Sequence, residues 1–247
     1  MSGARKVAII SGGMGGVGRA TAAAFVREHY RIVVLYRNAS DKEVADMHTS
    51  LPGEHMFMRC DVRNAQEVAH TIEMVSHTGR IEVAVHAAVD PIKRERILDM
   101  DETVFRNQFE AGFFGAFNFL KPIANIMKHE RRGTLIGMTS SALESPLTPA
   151  RMGAYTVGKI ALRGLLRELH RELSPSGVRV FTVAPGLMRT RLNADLPDKF
   201  FEIAEHSSGT ALTTAEDVAH AIITLCSDSK IASGASYLVS SGTFTPL

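Results

Sequence analysis

The chain has 247 residues, 45% of them apolar, and its 28 basic and 26 acidic side chains leave a formal net charge of +2. That length and composition suit a domain with a sizeable core and exclude a disordered or fibrous chain. Basic residues are scattered among acids, so there is no electrostatic footprint for nucleic acid, and no apolar stretch approaches a membrane span.

Apolar runs of strand length recur at 6–11, 31–36, 55–59, 81–87, 133–139, 178–183 and 235–239. Helical patterns lie between them at 17–29, 41–50, 64–78, 101–130, 152–173 and 214–228. This alternation predicts an α/β fold, a doubly wound parallel sheet with helices on both faces, spanning residues 1–247 as one domain. The longest irregular stretch, about 186–213, is rich in Pro, Asp, Ser and Gly.

The first run, Lys6 to Ser11, leads into Gly12-Gly13-Met14-Gly15-Gly16-Val17-Gly18 and then an amphipathic stretch from Arg19 to His29. Strand, glycine-rich turn and helix in this order set backbone N–H groups and a helix N-terminus against a pyrophosphate. Gly12 would allow the tight turn, Gly16 the approach of phosphate to backbone, and Gly18 close packing of helix on sheet. Farther along, Tyr155 and Lys159 fall four residues apart and share one helix face. A phenol ordinarily ionises near pH 10, and an adjacent ammonium is expected to lower that value toward working pH. The pair therefore reads as a proton-transfer unit.

Together these residues resemble the short-chain dehydrogenase/reductase family, in its branch of about 250 residues similar to 3-oxoacyl-(acyl-carrier-protein) reductases. Ser11-Gly12-xxx-Gly16-x-Gly18 and Tyr155-xxx-Lys159 match the family's two signatures, and further matches follow in order at Cys60-Asp61-Val62, Thr139-Ser140 and Pro185-Gly186-xxx-Thr190. The resemblance implies a Rossmann fold and a nicotinamide cofactor held by Gly12, Gly16, Val17, Gly18, Asp61, Val62, Ala88, Pro185, Gly186 and Thr190, with Tyr155 and Lys159. It implies Tyr155 as general acid or base and Lys159 as the residue that tunes it and binds the nicotinamide ribose. A serine would hold the substrate oxygen; Ser140 is preferred and Ser141 is the alternative. Residues 186–213 would cover the substrate. The family's acidic position after the second strand falls on Tyr36, and Arg37 and Asn38 follow, so the expected cofactor is NADP(H).

Two departures bear on activity. The family's Asn-Asn-Ala-Gly run reads His86-Ala87-Ala88-Val89 here, leaving His86 as either a substitute donor or a packed, satisfied residue. The family's helix Asn falls on Gly112, which removes an anchor for a water relay to the lysine; neither Asn107 nor Asn118 replaces it. Six phenylalanines between Phe105 and Phe119 spread too widely for one core face, and with the resemblance they imply a homodimer or homotetramer. Met188, Leu192, Leu196, Phe200 and Phe201 are expected to line an apolar substrate site. The runs Lys93-Arg94-Glu95-Arg96 and Arg131-Arg132 read as solvated surface, although Arg131, Arg132 and Lys128 are also the available docking patch for an acidic carrier. Cys60 and Cys226, far apart, point to neither a disulfide nor a metal site, and without a leader segment the expected compartment is the cytoplasm. The expected activity is hydride transfer between nicotinamide and a carbonyl or alcohol. The alternative is a weakly catalytic NADP(H)-binding sensor or hetero-oligomer partner.

Overall fold

Val7, Ala8, Ile9 and Ile10 of the first strand are all fully buried, so this strand is covered on both faces and its apolar run is continuous rather than alternating. The structure is a computed structural model that describes residues 5–144, 151–208 and 210–247. Its strands are β1 (Lys6–Ser11), β2 (Arg31–Tyr36), β3 (Met56–Arg59), β4 (Arg80–His86), β5 (Thr134–Met138), β6 (Arg179–Pro185), β7 (Ser236–Ser240) and β8 (Thr243–Pro246). They form one sheet in the order β3-β2-β1-β4-β5-β6-β7-β8, parallel except where β8 runs antiparallel to β7. The order reverses between β1 and β4, which opens a crevice at the carboxyl ends of those strands.

Helices α1 (Gly16–Arg27), α2 (Asp41–Ser50) and α3 (Ala65–Ser76) connect the first four strands. Ser40 and Glu43 cap α2 reciprocally, and the Asn64 side chain accepts from Gln66 and Glu67 N–H groups at the start of α3. Phe119, Leu120 and Ile123 fill one core layer with β1 and β4, while Phe25, Phe181 and Ile222 fill the layer on the other face.

The helix expected over 101–130 is interrupted. It runs as α4 (Glu102–Phe109), a five-residue π turn (Glu110–Phe114) and α5 (Gly115–Glu130). The wider turn takes the Ala111 carbonyl to a side-chain donor, described below, and such turns recur at functional sites. Helices α6 (Gly153–Leu173) and α8 (Ala215–Ser227) match their expected ranges closely. Two elements were not expected. Helix α7 (Asp198–Ser208) lies within the stretch read as irregular. Strand β8 closes a hairpin on the two-residue turn Ser241-Gly242, where both φ angles are positive, as a primed turn requires.

Replacement of the fully buried Phe119 by alanine should cost about 3–5 kcal/mol, read as a lowered midpoint of chemical denaturation at unchanged slope.

Candidate active site

A cavity of about 760 Å³ follows the carboxyl ends of the strands from β2 to β6. At one end stands the glycine-rich turn. Gly12 has φ +68°, and a Cβ there would lie 2.6 Å from the Ala88 backbone nitrogen, so the turn after β1 closes on the segment after β4 only with glycine. A Cβ on Gly18 would come within 2.4 Å of the Gly12 carbonyl oxygen, which ties the first turn of α1 tightly to the loop. Helix α1 has no side-chain cap and no acidic residue in its first turn. Its N-terminal amides therefore keep their hydrogen-bonding capacity and positive dipole end for an anion in the cavity. This turn fits a dinucleotide pyrophosphate.

Every predicted site residue lines this cavity: Gly12, Gly16, Val17, Gly18, Arg37, Asn38, Asp61, Val62, Ala88, Ser140, Tyr155, Lys159, Pro185, Gly186 and Thr190, and the alternative Ser141 as well. Helix α6 carries Tyr155 and Lys159 on its buried face, 7% and 5% exposed. Ser140 leaves the end of β5 in an extended conformation, and its hydroxyl accepts from the Ala142 N–H at 3.2 Å. Of the two serines, Ser140 is the one whose hydroxyl hydrogen-bonds the Tyr155 phenol.

The electrostatics of the pair differ from expectation. Burial raises the Tyr155 pKa above its ordinary 10, and the Ser140 hydrogen bond and the charge of Arg94 only partly oppose it. The Lys159 Nζ sits 5.7 Å from the centre of the tyrosine ring and donates to the Met138 carbonyl at 2.7 Å. Burial in turn lowers Lys159 to about 8. In this state desolvation outweighs the Ser140 hydrogen bond and the Arg94 charge, and the phenol is held protonated.

His86 is packed and satisfied. It is wholly buried, with Nε2 3.1 Å from the Ala111 carbonyl and Nδ1 2.8 Å from Ser11 Oγ. A carbonyl only accepts, so Nε2 carries the proton and Nδ1 accepts from the serine hydroxyl. Burial and the Lys159 charge lower its pKa to about 3. His86 stays neutral at working pH, and its one N–H is committed to the Ala111 carbonyl.

At Gly112 an added Cβ would meet only a Val89 methyl group, 4.0 Å away, so the place of the family's Asn is open space. Asn118 is engaged elsewhere, donating to the Val62 and Arg63 carbonyls.

Adjoining the cavity, and sharing Arg37, Asn38 and Asp61 with it, a second, polar hollow of about 390 Å³ is enclosed by these three with Arg59, Arg63 and Glu67. Arg37 is not free: its Nη1 donates to Asp90 Oδ1 at 3.1 Å. Arg63 grips Asp61 through Nε at 2.9 and 3.0 Å, which holds that carboxyl below its ordinary value. Arg59 and Arg63, which the sequence reading passed over, join Arg37 here because β3 ends beside β2.

The covering segment supplies Met188, Leu192, Leu196 and Phe200 to the cavity as expected. Phe201 does not line it; the ring is buried on the other side of α7 beneath the Arg189 guanidinium, 4.5 Å away. Arg94 corrects the reading of its charged run as surface. Its side chain is 13% exposed and lines the cavity, because acceptors about a hundred residues later in the chain draw it inward. Arg131 and Arg132 sit instead at the amino end of β5, away from the carboxyl ends that form the cavity, where Arg132 pairs with Glu82 and Arg131 reaches the Pro175 carbonyl. Glu144 pairs with Arg163 rather than facing the cavity; Ser145 and Pro146 lie outside the described residues.

A family model described as Enoyl-(Acyl carrier protein) reductase matches residues 12–243. The chain belongs to the short-chain dehydrogenase/reductase family. The mouse (Mus musculus) 3-oxoacyl-[acyl-carrier-protein] reductase is 31% identical over 89% of this chain and 90% of its own. A 3-alpha-(or 20-beta)-hydroxysteroid dehydrogenase of Mycobacterium tuberculosis is 30% identical over 98% and 90%. The solved structure of an NADPH-dependent 3-quinuclidinone reductase from Rhodotorula rubra superposes with a TM-score of 0.85 at 24% identity, covering 96% of this chain and 90% of that one. That family is one of oxidoreductases.

The neutral His86 has a consequence for stability. The unfolded chain takes up a proton near the ordinary 6.5, whereas the folded chain resists until about 3. Stability present above pH 6.5 is therefore lost as the pH falls through that window, at up to about 1.4 kcal/mol per pH unit. Denaturation midpoints followed from pH 7 to 4 should show this slope, and His86→Gln should flatten it.

Proposed function

We propose that this protein is an NADP(H)-dependent carbonyl reductase with Tyr155 as its general acid. The convergence of Ser140, Tyr155 and Lys159 in a cavity that continues to the glycine-rich turn carries this reading. When bound, the cofactor supplies the hydride. The chain supplies the rest. Ser140 donates a hydrogen bond to the substrate oxygen and orients the carbonyl. Tyr155 holds a proton on Oη and delivers it as negative charge builds on that oxygen. A buried, protonated phenol is the form needed for reduction. Lys159 is buried yet keeps its ammonium at neutral pH, stabilising charge around the phenol and offering donors to the ribose.

Preference for the 2′-phosphate rests on Arg37, Arg59 and Arg63 around one hollow and on Tyr36 in place of a carboxylate. The phosphate would pair with the guanidinium nitrogens of this cluster that Asp90 and Asp61 leave free. The Rhodotorula rubra relative, NADPH-dependent by its description, points the same way.

The second reading, a binding member with little catalysis, draws on the open space at Gly112 and on a Lys159 that donates to a backbone carbonyl. NADPH consumption across a panel of ketones, with NADH as control, separates the two. Tyr155→Phe should reduce kcat by at least about 100-fold while cofactor affinity stays within about twofold. Tight NADPH binding without turnover on any ketone would select the sensor reading.

The assembly follows from exposed apolar groups. Phe114 and Phe117 are 48% and 43% exposed beside α5, and Val157 and Ile160 are 42% and 49% exposed on α6. Phe119, by contrast, is core, and Phe105, Phe109 and Phe113 are half-buried in a chain of ring contacts. The exposed set fits a face covered by a second copy, giving a homodimer or homotetramer. Ile160→Glu should release smaller species in sedimentation velocity, and an unchanged mass would remove this face from the interface.

A further inference from the structure

Arg94 lies between β4 and α4 and spends two of its three nitrogens on the covering segment. Nε donates to Asp195 Oδ2 and Nη2 to Asn193 Oδ1, both at 2.7 Å. Its Nη1 is buried and has no acceptor among the described residues. A buried charged donor left without an acceptor is costly, and Arg94 is itself one of the residues that line the cavity.

The surroundings say what that acceptor is. Arg94 is near enough to Tyr155 for its charge to be felt at the phenol. Ile92, Met152, Leu192, Leu196 and Phe200 make the neighbouring wall apolar. The acids nearby are spoken for: Asp90 holds Arg37 and accepts from the Ala111 N–H, and Asp195 lies on the Nε side of the guanidinium, 48% exposed. An anion on the substrate would give Nη1 a charge-assisted hydrogen bond in a largely apolar wall, where such a bond is strong.

We propose that Arg94 is a substrate-recognition residue whose Nη1 holds the carboxylate of an oxo acid while the keto group sits at Ser140 and Tyr155. The inference rests on the reductase reading and deepens it. The carboxylate takes no part in bond-making; it fixes how the carbonyl is presented and selects apolar oxo acids over plain ketones. Arg94 is thus a specificity residue, and its ties to Asn193 and Asp195 hold the covering segment against the same guanidinium.

The test pairs short-chain oxo acids with the methyl ester of each, as substrates with NADPH. In parallel, the corresponding hydroxy acids and their esters are titrated calorimetrically into the protein loaded with NADP⁺. The wild type should favour each acid over its ester in kcat/KM. Arg94→Gln should lower that preference about 10- to 100-fold, read as the acid-to-ester ratio of kcat/KM so that any effect of the lost charge on Tyr155 cancels. Arg94→Lys, which keeps the charge, should recover part of it. Asp195→Asn releases the covering segment but leaves Nη1 intact, so it should keep the preference. Equal use of acid and ester by the wild type would overturn the anion site and leave the reductase reading standing. An Asp195→Asn variant that behaves like Arg94→Gln would make Arg94 a strap for the segment and nothing more. Calorimetric preference for the hydroxy acid that depends on Arg94, without turnover of any ketone, would support the anion site and sink the reductase reading.

Discussion

The buried side chain of His86 holds three pieces of backbone in one arrangement, and the site depends on it. Through one ring it joins the end of β1 at Ser11, the end of β4, and the Ala111 carbonyl in the π turn. The Ala111 carbonyl lies in the π turn and accepts from the histidine Nε2 away from water. With β1 and β4 fixed at this junction, the glycine turn can close on Ala88, and the crevice of the reversed strand order opens above it.

From that junction the burial of the reacting pair follows. Helix α6 lies against β5 and β6 with Tyr155 and Lys159 facing inward, so both lose water. Desolvation moves the phenol up and the ammonium down, each toward its neutral form. The balance keeps the tyrosine protonated and ready to donate. Ser140 and Arg94, arriving from β5 and from the segment after β4, are the groups that favour the phenolate the reaction leaves behind.

Much of this was legible in the sequence. Buried strands announce themselves as continuous apolar runs, and residues scattered from Gly12 to Thr190 line one cavity because each follows the carboxyl end of a strand. Helix α7 left a trace that irregular composition hid: Pro197 precedes it, and Phe200, Phe201 and Ala204 recur at helical spacing. The π turn left none, since its residues continue a helical pattern and the carbonyl's partner is distant. Arg94 was invisible for the same reason, because Asn193 and Asp195 are remote in sequence. The Tyr155 shift runs opposite to the expectation because spacing shows a lysine on the same helix face but not the burial that raises the phenol.

The protonation state of Tyr155 is the point on which the account turns. Carbon NMR of protein labelled at tyrosine Cζ, with the Tyr155 signal among the four tyrosines assigned by its loss in Tyr155→Phe, follows that state directly across pH. In the free protein the Tyr155 phenol should stay neutral through pH 7 and ionise above the ordinary 10. A Tyr155 signal already at the phenolate position near pH 7 would contradict it, leaving Tyr155 as a base with no proton to deliver.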